Sequence, residues 1–104
     1  MAHKILWSLQ AREDLREIVT FIRQDNPDAA ARFGYALIRQ VDVLENFPLL
    51  GRRVPEFDDE TIREVIHRPY RLIYRVIEAQ NLVAIARVWH GARGEPEVPA
   101  QLQF

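Results

Sequence analysis

The chain has no cysteine, one lysine (Lys4), one serine (Ser8) and four glycines in 104 residues. Without cysteine there is no disulfide framework, no thiolate nucleophile and no cysteine-ligated zinc. Ser8 is not set in a G-x-S-x-G turn, and it stands where a helix cap is needed, so serine catalysis is excluded. Neither G-x-G-x-x-G nor G-x-x-x-x-G-K-[ST] occurs, and Gly51-Arg52-Arg53 is no phosphate loop. No apolar run reaches 18 residues and the opening segment turns polar at Ser8, so neither a membrane span nor a secretory leader is expected; the expectation is a soluble cytoplasmic protein. A chain of this length closes one modest core, which implies a single domain over 1–104 with no room for a large cofactor site.

What the chain does have is arginine. Thirteen of its 14 cations are Arg, against 15 acids, for a formal charge of -1. The distribution is uneven: residues 1–61 hold 8 basic and 11 acidic groups, residues 62–94 hold 6 and 2, and residues 95–104 hold none and 2. Guanidinium forks fit phosphate and carboxylate equally well, so the basic segment implies an anionic partner, either nucleic acid or an acidic protein segment.

Periodicity divides the chain into two halves. Ile5, Leu6 and Trp7 read as a short strand. Ala11, Leu15, Ile18, Val19 and Ile22 then recur at spacings of three and four, as do Ala30, Phe33, Leu37, Val41 and Leu44 with Ile38 alongside. Ser8 and Asn26 suit the two N-caps, and Pro27 suits the first position of the second helix. This predicts an αα-hairpin over about 8–46. The stretch from Phe47 to Glu60, with Pro48, Gly51 and Pro55, predicts a loop. Residues 61–68, 70–78 and 82–90 are rich in Val, Ile and aromatics with short breaks, which predicts a three-stranded antiparallel meander over about 61–90. The tail, 91–104, is expected to be extended and partly mobile. The fold class is α+β, with the hairpin packed on the sheet.

Alternation in the strands puts Arg71 and Arg75 with Ile73 and Ile77, opposite Tyr70, Leu72, Tyr74 and Val76. In the last strand it puts Val83, Ile85, Arg87 and Trp89 on one side. A sheet face left open by the helices would present arginines beside Tyr or Trp, as a phosphate-and-base surface does. Ordinary sheet arginines paired with Glu64 and Glu78 are the plainer alternative. His67 and His90 end strands and could serve as general acid or base, or as simple caps. With His3 they lack metal-ligand spacing, so no metal or other cofactor is expected.

Trp7-Ser8, Ala11, Asp14-Leu15, Asn26-Pro27, Phe47-Pro48, Gly51-Arg52, Pro55-Glu56, Arg63-Glu64, Pro69-Tyr70-Arg71-Leu72-Ile73-Tyr74 and Val88-Trp89-His90-Gly91-Ala92-Arg93 together resemble the RelE/ParE superfamily of type II toxin–antitoxin toxins, over roughly residues 5–95. The resemblance implies a growth-arresting toxin, of the plasmid-stabilisation kind, that is neutralised by a cognate antitoxin. RelE-like members cleave mRNA on the ribosome, whereas ParE-like members poison DNA gyrase without nuclease chemistry. Arg71 matches the sheet arginine that RelE-like nucleases use. However, no tyrosine follows Tyr74 and the only lysine is Lys4, so a nuclease would have to rely on Arg71, His90, Arg87 and Arg93, with the loop carboxylates or His67 supplying the rest. The segment from Arg87 to Arg93, with Pro48-x-x-Gly-Arg and Pro55-Glu56, is closer to the ParE branch. The expectation is therefore a gyrase-directed toxin, the alternatives being a ribosome-dependent ribonuclease and a non-toxic binding module of the same fold.

On this reading the candidates for target binding are Arg71, Tyr74, Arg87, Trp89, His90 and Arg93. The candidates for antitoxin binding are Leu15, Ile22, Phe33, Leu37 and Arg75, along a groove between hairpin and sheet, with a sheet edge open to strand addition. Self-association of the free toxin through the hairpin is left open.

Overall fold

Two side-chain caps start the helices where the sequence places them. In the computed structural model, which describes residues 2–104, the Ser8 hydroxyl accepts the Ala11 N–H at 3.0 Å and donates to the Ala86 carbonyl at 3.1 Å. It therefore caps α1 (Leu9–Asp25) and pins the helix to the sheet at the same time. Asn26 ends α1 in an extended conformation, and its side chain accepts the Ala29 N–H to open α2 (Pro27–Val43) with proline in the first turn.

The sheet has five strands rather than three. The expected meander is present as β3 (Ile62–His67), β4 (Tyr70–Ile77) and β5 (Leu82–His90), which are antiparallel in sequence. β1 (Lys4–Trp7) pairs in parallel with the first half of β5, and a two-residue β2 (Arg52–Arg53) pairs with β3, giving the order β1-β5-β4-β3-β2. β4 and β5 are joined by a single 3₁₀ turn at Glu78–Gln80 that ends on Asn81, whose φ of 47° is a left-handed position that asparagine tolerates.

The strict alternation expected for β5 does not hold. The register pairs Ile73 with Arg87 and then Tyr74 with Ile85, so Ala86 is an extra residue in a β-bulge. Before the bulge Val83 and Ile85 face the helices. After it Val88 does so, while Arg87 and Trp89 face away.

Each face of the sheet has its own core. The hairpin covers Leu72, Tyr74, Val76, Val83, Ile85 and Val88, with Leu37, Val41 and Leu44 from α2 and its C-terminal turn, and Ala11 from α1. On the other face Val54, Ile62, Ile73, Ala86 and Trp89 form a second cluster, closed by Phe57 from the loop and by Val98 and Leu102 from the tail. After a 3₁₀ turn at Gly91–Arg93 the tail packs against the second core. Carbonyls of Gly94, Glu97 and Ala100 accept from Trp89 Nε1, Arg87 and Arg75, and Gln103 accepts the Leu9 N–H. An apolar sheet face left in water is unfavourable in proportion to its area, and covering it gives the tail its place.

Candidate functional site

Arg71 lies mid-face on the side away from the helices, in register with Trp89 on β5 and Ile66 on β3. Its Nε donates to Glu64 at 2.6 Å, and its two terminal nitrogens donate to both oxygens of Glu56 at 2.7 and 2.8 Å. Glu64 is fully buried and is shared with Arg52 at 2.8 Å. The two carboxylates raise the Arg71 guanidinium still further above its ordinary value, and Arg71 in turn holds the Glu56 carboxyl below the usual carboxylate range. The plainer alternative for this arginine, pairing with Glu64, is therefore the one observed. Glu78 instead meets His3 at 3.1 Å.

Arg87 shares this face but is committed elsewhere. Its guanidinium donates to Asp14 on α1 at 2.8 and 3.0 Å and to the Glu97 carbonyl at 3.0 Å. Trp89, 2% exposed, has the guanidinium carbons of Arg87 and Arg93 over its ring, at 4.9 and 4.0 Å from the centroid. Arg93 is exposed and makes no ion pair among the described residues.

Two target-binding candidates are corrected by burial. Tyr74 has no exposed surface: its hydroxyl donates to the Pro48 carbonyl at 2.7 Å and accepts the Gly51 N–H at 2.9 Å, which anchors the 47–51 loop. Gly51 is required there, because a Cβ would stand 2.5 Å from the Glu64 carbonyl oxygen and 2.7 Å from the Tyr74 hydroxyl. Trp89 is likewise core. Neither can meet a partner without unfolding its surroundings.

His90 is on the opposite, helix-facing side. Its Nδ1 accepts the Ala92 N–H at 3.0 Å. A backbone amide can only donate, so the ring proton sits on Nε2 and the basic nitrogen is occupied by a cap. His67, Tyr70 and His90 fall in one cross-strand row, and edge-to-face contacts of 5.2–5.3 Å join Phe33 to His67, Phe33 to Tyr70 and Tyr70 to His90. Burial raises the Tyr70 phenol above its ordinary value. Arg71 and His90 thus lie on different faces of the sheet, and the candidate nuclease set does not converge. No cluster of three or more His, Asp or Glu that could hold a metal exists among the described residues.

The antitoxin candidates also divide. Leu37 has no exposed surface and is corrected to core. Leu15 and Phe33 are half-buried against the same core, Ile22 is half-buried, and Arg75 lies under the tail with the Ala100 carbonyl. A groove lies between α1 and the sheet. It is a cleft of about 390 Å³ lined by α1 (Asp14, Glu17, Ile18, Phe21), the sheet (Tyr70, Val88, His90) and Arg93. A second, more apolar groove that sequence reasoning missed runs between the outer faces of α1 and α2, past Val19, Ala30, Gly34, Tyr35 and Ile38. Phe21 and Tyr35 beside these grooves are 68% and 66% exposed. The signal was present as apolar residues off the main helical stripe, but a stripe alone does not tell a second face from a wide core.

The family model of the ParE toxin of the type II toxin–antitoxin system parDE matches residues 5–94. The chain belongs to the ParE toxin family. Among curated relatives, the ParE-family chain is 33% identical over 97 residues to the candidate toxin Y4kP of Sinorhizobium fredii, covering 91% of this chain and 95% of that protein. It is 30% identical over 91 residues to toxin RelE1 of Caulobacter vibrioides, covering 88% and 96%. Among solved structures, a chain of the chromosomal ParDE system from P. aeruginosa superposes with a TM-score of 0.70 at 21% identity, covering 86% of this toxin and 96% of that chain. The strand, hairpin and antiparallel sheet are thus a RelE/ParE-type fold, and the protein is a type II toxin of that superfamily. No helix among the described residues is long and apolar enough to cross a membrane.

Proposed function

We propose that this toxin arrests growth by binding and inhibiting DNA gyrase, without catalysis of its own, and that a cognate antitoxin neutralises it. One observation carries the reading: three of the four groups available for ribonuclease chemistry already have internal partners. Arg71 is held by Glu56 and Glu64, Arg87 by Asp14, and His90 uses its basic nitrogen on Ala92. A nuclease needs a base and a phosphate ligand about one reacting atom apart; His90 lies on the opposite face of the sheet from Arg71, and the carboxylate that does meet Arg71, Glu56, has both oxygens tied to it. A toxin that works by occupying its target needs neither.

The parDE family match and the ParDE neighbour support an antitoxin partner. The groove between α1 and α2 suits an amphipathic helix of that partner, laid with its apolar side on Val19, Gly34, Tyr35 and Ile38. The 390 Å³ cleft, with Phe21 and Ile18 on one wall and Arg93 at its edge, suits an apolar side chain followed by an acid. The toxin is expected to act in the cytoplasm, where gyrase is.

The test is growth arrest by variants induced without antitoxin. Arg71→Ala and His90→Ala proteins that accumulate to wild-type levels should still arrest growth. Loss of arrest by both, with wild-type accumulation, would return the ribonuclease reading to first place.

A further inference from the structure

The cleft between α1 and the sheet holds more hydrogen-bond donors than the protein itself uses. Two acids line it, Asp14 and Glu17 on α1, together with three donor groups, Tyr70, His90 and Arg93. Asp14 is spent: its two oxygens accept from Gln10, from both edges of the Arg87 guanidinium and from the Val88 N–H. Glu17 stands by Arg16, which Glu13 and, less strongly, Glu17 hold above its ordinary value. The donors have no such partners. Tyr70 and His90 are paired across β4 and β5, and among the described residues the Tyr70 hydroxyl, His90 Nε2 and the Arg93 guanidinium meet no acceptor. Tyr70 keeps its proton, because burial raises the phenol above its ordinary value, and His90 carries its own on Nε2, because Nδ1 accepts the Ala92 N–H. That same hydrogen bond caps the 3₁₀ turn Gly91–Arg93, at whose end the Arg93 guanidinium lies 4.0 Å from the Trp89 ring centroid. Stacked on a core ring, Arg93 loses little further freedom on meeting an acceptor. Beside these donors stand Ile18, Phe21 and Val88, which give the cleft an apolar wall.

From this geometry we infer that the cleft binds the carboxyl terminus of the antitoxin: the last side chain, aliphatic or aromatic, lies against Ile18, Phe21 and Val88, and the terminal carboxylate takes the Arg93 fork, the Tyr70 hydroxyl and His90 Nε2–H. The inference rests on the reading that an antitoxin neutralises this toxin, and it names the part of the antitoxin that enters the cleft. With Asp14 committed to Arg87 and Glu17 beside Arg16, Arg93 is the cation that the cleft has left over, which calls for one negative charge. Hydrogen-bond arithmetic favours a chain end. A peptide segment passing through brings an N–H with each carbonyl, and Asp14, the buried acid of the cleft, has no oxygen left for such a donor. A terminal carboxylate brings acceptors alone, enough for one fork and two single donors. The terminal residue also carries its side chain and its carboxylate on one Cα, so both fit within about 390 Å³. An Asp or Glu inside the chain supplies the charge but needs a second residue for the apolar wall and an exit for the chain.

The experiment measures, by calorimetry, the affinity of the full toxin chain for its cognate antitoxin, ending either as it naturally does or in an added Gly-Ser-Gly. The extension moves the carboxylate without altering the toxin, so the result does not depend on any toxin variant folding. It should lower affinity about tenfold or more, the scale of charge-assisted hydrogen bonds lost from one carboxylate. Arg93→Gln should lower affinity for the natural antitoxin by a similar factor, and Tyr70→Phe by about threefold. Extension and Arg93→Gln combined should cost no more than the larger of the two alone, because both remove the same contact. Unchanged affinity for the extended antitoxin overturns the inference; if Arg93→Gln still weakens binding in that case, the carboxylate belongs to a side chain within the antitoxin. Losses that add in full overturn it as well, since Arg93 and the chain end then act apart. If the unaltered pair forms no complex, the antitoxin reading fails and the inference with it, a result distinct from a tight complex that tolerates the extension.

Discussion

The carboxylate of Asp14 accepts the Arg87 guanidinium at 2.8 and 3.0 Å and, through the same Oδ2, the backbone N–H of Val88 at 3.0 Å. β1 pairs with β5 only as far as Ile85. Beyond that point α1 covers the edge of β5, and Asp14 supplies the acceptor that a neighbouring strand would otherwise provide. Asp14 and Arg87 are 6% and 9% exposed at the side chain, so neither can turn to water if the other is lost.

Asp14→Ala should therefore destabilise the fold by about 3–5 kcal/mol, since it leaves a buried cation and a buried amide without a partner. In a domain of this size that is a fall of at least about 12 °C in the midpoint of thermal unfolding. Asp14→Asn, which keeps an acceptor, should cost less. A midpoint within 2 °C of wild type for the alanine variant would show that Arg87 finds another partner.

Glu56 should contribute to stability in a pH-dependent way. Its hydrogen bonds to Arg71 lower its pKa in the folded state, so its stabilisation is complete above the unfolded carboxylate value of about 4.3 and is lost as pH falls through the folded-state value. Asp59, lowered by Thr61, behaves alike. Denaturant titrations of wild type and E56Q should give a constant difference above about pH 5 that shrinks on further acidification. A difference that grows in acid has the wrong sign for this pair.

The loop after α2 depends on one phenol. Tyr74→Phe removes the acceptor for Gly51 and the donor to Pro48, at a cost of about 1–3 kcal/mol, and amide exchange at Gly51 should accelerate well beyond that at Val83. Gly51→Ala should be worse, because the neighbours its Cβ would strike are the Glu64 backbone and the Tyr74 hydroxyl. Unchanged Gly51 exchange in the phenylalanine variant would remove Tyr74 as the anchor.

The antitoxin surface can be separated from the core by paired substitutions. A Cβ on Gly34 meets nothing within 4 Å, so Gly34→Leu should leave the free toxin as stable as wild type or slightly more so, yet fill the groove between α1 and α2. Antitoxin affinity should drop by about tenfold or more. Leu37→Ala should instead cost about 2–5 kcal/mol in the free toxin, as a core truncation does. Full antitoxin affinity in the G34L protein, read by calorimetry, would place the partner elsewhere.

The helices were legible because their signals are local. Ser8 and Asn26 cap where short polar side chains before an apolar stripe should, and Pro27 falls in the first turn. The meander was legible from its β-branched runs. β1 joining β5 was not, because a parallel pairing of residues 78 positions apart leaves no local mark, and the two-residue β2 is too short to leave one. Alternation assigned the faces of β4 correctly, but in β5 the bulge at Ala86 reverses the parity, so Val88 replaces Arg87 on the helix side. Reading Arg71 and Arg87 as a shared anion-binding surface was right about the face and wrong about availability: their partners Glu56 and Asp14 lie 15 and 73 residues away in sequence. Tyr74 and Leu37 look in sequence like any aromatic or apolar candidate, and only burial shows that they are structural.

The most direct measurement pairs two assays on one preparation of purified toxin: supercoiling of relaxed plasmid by DNA gyrase, and cleavage of mRNA on stalled ribosomes. Inhibited supercoiling or accumulated gyrase-cleaved DNA, reversed by the antitoxin, together with intact mRNA is the predicted result. Cut mRNA with gyrase unaffected would contradict it.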